Sequence, residues 1–266
     1  MNIPIEINHV LEKYFENMES KLPKLLDSYY IYGSTSLGEY NRGISDIDFV
    51  AILVHDASEQ EVNSLLEIHR SMQKQFPKLI LDGIYIIADG SDSFSGNKTL
   101  RFNEGEFHGY GKFNNHSIDA FQLKTYGIRI KGKENESLTF DVDWEILLRN
   151  MRNNLNTYWV NWLNGCKKTL SRQYLSLFVS LDTLEWGVLG VSRLYYTFKE
   201  KDITSKVGAG EYALKNVPQR WHKIIQESLR LRKGNKKSHY ISIFKRRKDA
   251  LDYIDYLIRE CNSLFK

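Results

Sequence analysis

Residues 30–54 read Tyr-Ile-Tyr-Gly-Ser-Thr-Ser-Leu-Gly-Glu-Tyr-Asn-Arg-Gly-Ile-Ser-Asp-Ile-Asp-Phe-Val-Ala-Ile-Leu-Val. An apolar run ends in Gly33-Ser34, a polar glycine-bearing turn follows, and Asp46-Ile47-Asp48 opens a second apolar run. Residues i and i+2 of a strand share a face. Asp46 and Asp48 therefore put two carboxylates on one side at the mouth of a buried strand, where they repel unless a cation lies between them. Mg²⁺ is a hard ion that takes oxygen ligands, usually one or two carboxylates plus substrate phosphates. Gly33 lets the backbone approach a phosphate closely. Ser34 offers a hydroxyl and an N–H at the start of a turn or helix, where anions bind. Ser45 is placed to brace the carboxylates.

On either side of this stretch, helix and strand alternate. Val10, Leu11, Tyr14, Phe15 and Met18 have helical spacing within residues 5–20, and residues 28–32 form a short strand rich in tyrosine. Ser58-x-x-Glu61 is a capping box, followed at helical spacing by Val62, Leu65, Leu66, His69 and Met72. Residues 79–88 form a third strand, apolar except for Asp82 and Gly83. A carboxylate in such a strand is costly if unpaired. Asp82 is thus the natural third carboxylate, either as a further metal ligand or as a general base. In two-metal phosphoryl transfer the ions clamp the attacking and leaving oxygens.

Residues 89–118, rich in Gly, Asn, Ser and Asp, read as a long loop with room for an edge strand. A short helix and a strand, residues 128–130, follow. From about residue 142 the pattern is helical: Trp144 to Trp162, then 174–198, 205–215, 218–230 and 240–264. The expected fold is α+β. Residues 1–138 form a domain with a small mixed sheet and flanking helices, and residues 139–266 an all-α helical bundle. The boundary lies at Gly132-Lys133-Glu134-Asn135-Glu136.

Composition narrows the function class. The chain has 266 residues and 31.2 kDa, with 42% hydrophobic and 26% charged residues, as in a soluble globular protein. A net charge of +4 suits an anionic ligand such as a nucleotide but is too weak to indicate nucleic acid. Cys166 and Cys261 stand outside any CxxC or Cys/His cluster, which argues against zinc and for reduced core thiols. The N-terminus lacks the features of a signal peptide, and no apolar run reaches about 18 residues. The expectation is a cytoplasmic monomer with no membrane partner and no stable nucleic-acid partner.

Gly33-Ser34, the turn, and Ser45-Asp46-Ile47-Asp48 before an apolar strand resemble the signature of the DNA polymerase β-like nucleotidyltransferase superfamily. Further islands extend the resemblance. These are Val191-Ser192-Arg193-Leu194-Tyr195-Tyr196, Asp202 to Lys206, Ala209-Gly210-Glu211-Tyr212-Ala213-Leu214, Gly105-Glu106-Phe107 and Tyr126 to Gly132. Together they resemble the aminoglycoside adenylyltransferases of the streptomycin/spectinomycin 3″/9 type. The resemblance implies transfer of AMP from ATP to a hydroxyl of such an antibiotic, with two Mg²⁺ ions and antibiotic resistance as the outcome. A lincosamide, or a protein or RNA as in a toxin–antitoxin pair, is the alternative acceptor. It implies that Asp46 and Asp48 bind metal, that Asp82 is the catalytic base and shares the metal, and that Ser34 and Ser45 lie near the phosphates. Arg193 and Lys206 would reach the ATP phosphates from the helical domain, which completes the ATP and substrate site. Phe107 falls where the family has a drug-lining tryptophan, and Asp182, Glu185 and Trp186 are candidate contacts for a cationic drug. The chain departs from the family in having Asp for Glu at position 82, Phe for Trp at 107, Val207 after Lys206 where the family has Asp, and Arg232 where a tyrosine is expected.

Overall fold

Tyr30, Val50 and Ile84 stand side by side on three adjacent strands, and the first unit is built outward from them. The computed structural model describes residues 3–87, 96–134, 138 and 140–265. It divides into two units, residues 1–143 and 144–266. The boundary expected at 132–136 runs into residues 135–137, which lie outside the described residues.

The first unit holds one six-stranded sheet in the order β5-β4-β3-β2-β1-β6. Its strands are β1 (Leu26–Ile31), β2 (Ile47–Leu53), β3 (Leu81–Ile87), β4 (Lys98–Asn103), β5 (Glu106–Lys112) and β6 (Ile128–Lys131). β2 and β3 run parallel, and the other neighbours are antiparallel, so the sheet is mixed. Helices α1 (Ile5–Lys21) and α3 (Glu59–Gln75) contribute to the core on one face. Ser58 caps α3: its Oγ accepts the Glu61 N–H at 3.3 Å, and Glu61 Oε2 accepts the Ser58 N–H at 2.8 Å. That start turns Val62, Leu65, Ile68, His69 and Met72 onto the sheet. Each of the aliphatic side chains and the methionine in this set contributes about 1.5–3 kcal/mol. Three polar side chains in this core pair with one another: Tyr85 OH lies 2.8 Å from Tyr14 OH and 2.7 Å from His69 Nε2. Burial pushes the His69 imidazole down to about 3, so it is neutral. The opposite face carries Tyr30, Val50, Ile52 and Ile86, with Phe113 and helix α4 (Ile118–Tyr126).

Part of the stretch expected as a loop is a hairpin, β4 and β5. Two glycines disguise β5 in sequence. Gly109 has φ +87, where the register with β4 slips, and a Cβ at Gly111 would lie 2.2 Å from Arg101 Nε, so the glycine leaves room for that side chain to lie across the strand. Residues 88–95 lie outside the described residues.

The second unit is helical: α5 (Trp144–Asn154), a π-helical turn (Leu155–Trp159), α6 (Val160–Lys167), α7 (Arg172–Val179), α8 (Leu181–Glu200), α9 (Lys206–Asn216), α10 (His222–Arg232) and α11 (Ile243–Ser263). The helix expected over 174–198 is two. Ser180 leaves the helical conformation, the axes bend by 103°, and its Oγ caps α8 by accepting the Thr183 N–H at 3.1 Å. The buried α8 packs against α9, α10 and α11. Cβ atoms at Gly187 and Gly190 would lie 2.8 Å from Trp162 and 2.7 Å from Trp159, so these glycines make room for two indoles. Among the described residues no single helix is long and apolar enough to cross a membrane.

Candidate active site

Because β2 and β3 are parallel and in register, Asp48 stands directly beside Asp82. Alternation sends Phe49, Ala51 and Tyr85 to the face covered by α1 and α3. Asp48 and Asp82 are thereby on the other face, with Val50 and Ile84. Gly33 begins α2 (Gly33–Ser36) in a left-handed conformation, φ +67, and its missing side chain leaves room for the Asp48 carboxylate. The short α2 is tied down on both sides. The Tyr32 N–H donates to the Asp48 carbonyl at 3.0 Å, and Gln122 Nε2 from α4 donates to the Gly33 carbonyl at 3.1 Å. Ser34 lies in this turn, half-buried. Ser45 is buried, and its Oγ accepts the Asn41 N–H at 3.0 Å, which closes the turn leading into the aspartates.

Asp82 Oδ1 accepts the Gly105 N–H at 3.1 Å. Burial pushes its carboxyl up to about 6; the charge of Asp46 adds to this, while the backbone N–H groups of Gly105 and Glu104 oppose it. Asp46 itself is exposed at the strand mouth. A cleft of about 610 Å³ opens over Asp48 and Asp82, a size suited to a small ligand. Tyr32, Asp119, Arg101, His108 and Lys112 also line it. The Tyr32 phenol is held well above its usual range by burial and then by the charges of Asp119, Asp48 and Asp82, so it stays protonated as a donor among carboxylates.

The expected metal ligands can be tested against this geometry. Among the described residues, no three His, Cys, Asp or Glu side chains converge into a metal cage. An open set of carboxylate oxygens, completed by phosphates and water, is the arrangement Mg²⁺ uses in nucleotide sites, so the donor chemistry fits. Phe107, the expected drug-lining residue, lies on the strand β5. It packs on Phe102, with ring centroids 5.5 Å apart, against the core on the α3 side, and does not line the cleft. Register explains this: Phe102 and Phe107 are partners across β4 and β5.

Sequence reading did not find Tyr32, Asp119, Arg101 or Lys112. Asp119 follows the α4 cap Ser117 and looked like an ordinary helix start. Tyr32 looked like the last residue of a strand.

The helical unit holds the second set of candidates. Glu185, on α8, is only 6% exposed; Lys206 Nζ donates to its Oε2 at 3.4 Å, and Oε1 has no hydrogen-bond partner. Lys206 is the first residue of α9. Burial pushes its ammonium group down; Glu185 counters this, and the charges of Arg232 and Arg193 add to it. Glu185, a candidate contact for a cationic drug, is thus paired with Lys206 in the structure. Asp182 is exposed in the first turn of α8. Trp186 stacks on Trp159 at 4.8 Å and meets Trp162 edge-on at 5.4 Å.

Two family models match the chain: the nucleotidyltransferase domain over residues 11–90, and the C-terminal domain of aminoglycoside adenylyltransferase over residues 176–258. No curated protein sequence matches it. A solved structure of spectinomycin adenyltransferase AAD(9) from Enterococcus faecialis, with ATP and spectinomycin, aligns with 96% of this chain and 99% of its own. The TM-score is 0.71 at 16% identity, which establishes a shared fold. A toxin–antitoxin structure with AMP-PNP covers 56% of this chain and 93% of its own at 14% identity, and its TM-score of 0.30 carries no argument. The chain is an enzyme of the nucleotidyltransferase class. Its residues 176–258 match, more narrowly, the C-terminal domain of aminoglycoside adenylyltransferase, the family this chain is most specifically similar to among these matches.

Proposed function

We propose that the chain transfers AMP from ATP to a hydroxyl of an aminoglycoside or aminocyclitol antibiotic in a Mg²⁺-dependent reaction, and so confers resistance. The observation that carries this reading is Asp82, a carboxylate beside Asp48 with its pKa raised to about 6. A base of that strength is ionised at neutral pH and takes a proton better than an ordinary aspartate. The acceptor O–H gives its proton to Asp82 as its oxygen bonds to the α-phosphorus. The bond from the α-phosphorus to the bridging oxygen breaks, and pyrophosphate leaves. Asp46 and Asp48, with Asp82, would hold the Mg²⁺, which when bound supplies positive charge for the developing and departing phosphate oxygens. Gly33 and Ser34 provide the close backbone and hydroxyl near the phosphates, and Arg193 and Lys206 are assigned to the same phosphates.

The acceptor class rests on the likeness of residues 176–258 to the C-terminal domain of aminoglycoside adenylyltransferase. Spectinomycin is the first candidate, because the AAD(9) structure of the same fold was solved with it. Incubation with Mg-ATP and a panel of spectinomycin, streptomycin and a lincosamide is expected to release pyrophosphate with spectinomycin or streptomycin. Mass spectrometry is expected to find AMP on the drug. Pyrophosphate release with no adenylylated aminocyclitol would overturn the substrate assignment.

A further inference from the structure

Arg101 lines the cleft close to Asp82 but does not pair with it. Register sets it opposite Ile84, and so diagonally across from Asp82 on the same face, about 7–8 Å away between Cα atoms. An arginine within reach of a carboxylate ordinarily closes on it. Here the side chain is laid the other way, across Gly111 of β5. A Cβ on that glycine would fall on the guanidinium, 2.6 Å from Cζ and 2.7 Å from Nη2. Arg101 is accordingly not among the charges that act on Asp82. Among the described residues its guanidinium has no hydrogen-bond or ion-pair partner.

A second observation lies beside it. Thr99 pairs with Gly111, the glycine that Arg101 crosses, and stands two residues from Arg101 on the same face of β4. Thr99 is only 1% exposed, lines the cleft, and its Oγ1 has no hydrogen-bond partner. A buried hydroxyl left unmet is costly. The cleft is thus divided. Its carboxylates, Asp48, Asp82 and Asp119, serve the metal and proton chemistry or lie beside it, whereas its β4 side offers donors that no protein oxygen meets.

We propose that Arg101, with Thr99, determines acceptor specificity. The two donate to keto, ether or hydroxyl oxygens on the part of the acceptor next to the reacting hydroxyl, and the charge of Arg101 turns away an acceptor that brings a cation there. This rests on the adenylyltransferase reading above and deepens it. It favours spectinomycin, which carries a keto group and ether oxygens, over streptomycin, which carries two guanidinium groups.

The test measures kcat and KM for both drugs and for Mg-ATP with the full chain. Arg101→Gln is expected to raise KM for spectinomycin about ten- to a hundred-fold, as for loss of a charged hydrogen bond. It is expected to narrow the preference over streptomycin by at least that factor and to leave KM for ATP unchanged. Thr99→Val is expected to be at least as stable as the parent in urea unfolding, since valine has no hydroxyl to leave unmet, and yet to raise KM for spectinomycin several-fold. A merely structural threonine would not give that combination. Lys98→Gln, on the same strand at a lysine paired with Asp56, serves as control and is expected to match the parent. A parent that adenylylates neither drug would overturn the function reading and this proposal together. An active parent that prefers streptomycin, or a folded Arg101→Gln that keeps its KM for spectinomycin, loses both drugs in equal proportion or raises KM for ATP, would overturn only the role of Arg101.

Discussion

The space a side chain at position 33 would need is taken by the carboxylate of Asp48: a Cβ built on Gly33 would lie 1.7 Å from Asp48 Oδ2. Backbone conformation adds to the conflict, since φ there is +67 and left-handed geometry costs an L residue about 1–2 kcal/mol. Gly33→Ala is therefore expected to displace Asp48 and abolish AMP transfer, while lowering stability by about 2–4 kcal/mol. Denaturant unfolding and a pyrophosphate-release assay on the same preparation check both parts. Full activity in this variant would contradict the placement of Asp48.

Asp82 sets activity against stability. Its carboxyl titrates near 6 in the folded chain, against an ordinary value of 3.8. A raised carboxyl favours folding while protonated, and that benefit is lost as pH rises through 6. Asp82→Asn is expected to gain about 1–2 kcal/mol relative to the parent at pH 8, once solvent screening is allowed for, and much less at pH 5. Its kcat is expected to fall about 10²–10⁴-fold. In the parent, kcat should climb on the acid side as Asp82 loses its proton, and a flat acid limb would remove Asp82 from the proton transfer.

Glu185→Gln separates two roles by kinetics. If the carboxylate positions Lys206, as the 3.4 Å pair indicates, KM for ATP is expected to rise several-fold while KM for the drug holds steady. A rise confined to the drug would return Glu185 to the acceptor pocket.

A fourth expectation concerns stability away from the chemistry. Glu227 is fully buried and accepts from Arg230 at 2.9 and 3.0 Å, from Ser238 Oγ at 2.7 Å and from the His239 N–H at 2.8 Å. Burial alone would raise its carboxyl, but the Arg230 guanidinium and these donors outweigh it and hold the pKa down to about 2. Its contribution is present above the ordinary 4.5 and lost as pH falls towards 2. Glu227→Gln leaves Arg230 and Arg246 buried beside a neutral group and is expected to cost about 3–5 kcal/mol in urea unfolding at neutral pH. That loss should shrink on acidification.

The aspartates were legible in sequence because strand alternation and the cost of a buried charge act locally. Asp46, Asp48 and Asp82 stand out from apolar neighbours without knowledge of the partner strand. Tyr32 and Asp119 were not legible. They reach the cleft only through the pairing of β2 with β3 and the position of α4, neither of which leaves a periodic trace. The hairpin of β4 and β5 was hidden by the glycines that make it possible. Ser180 was hidden for a similar reason, because serine inside an amphipathic pattern reads as a surface residue until its cap is visible.

The two faces of the sheet impose one more condition on this chain. A slip of β2 by a single residue would exchange its sides, driving Asp48 in among Tyr29, His69 and Tyr85 and turning Phe49 out into the cleft. An uncompensated carboxylate in that aromatic layer would cost several kilocalories per mole. The residues that perform the chemistry thus also proofread the folding of the strand that carries them. Variants that neutralise Asp48 should lose fidelity of assembly as well as catalysis.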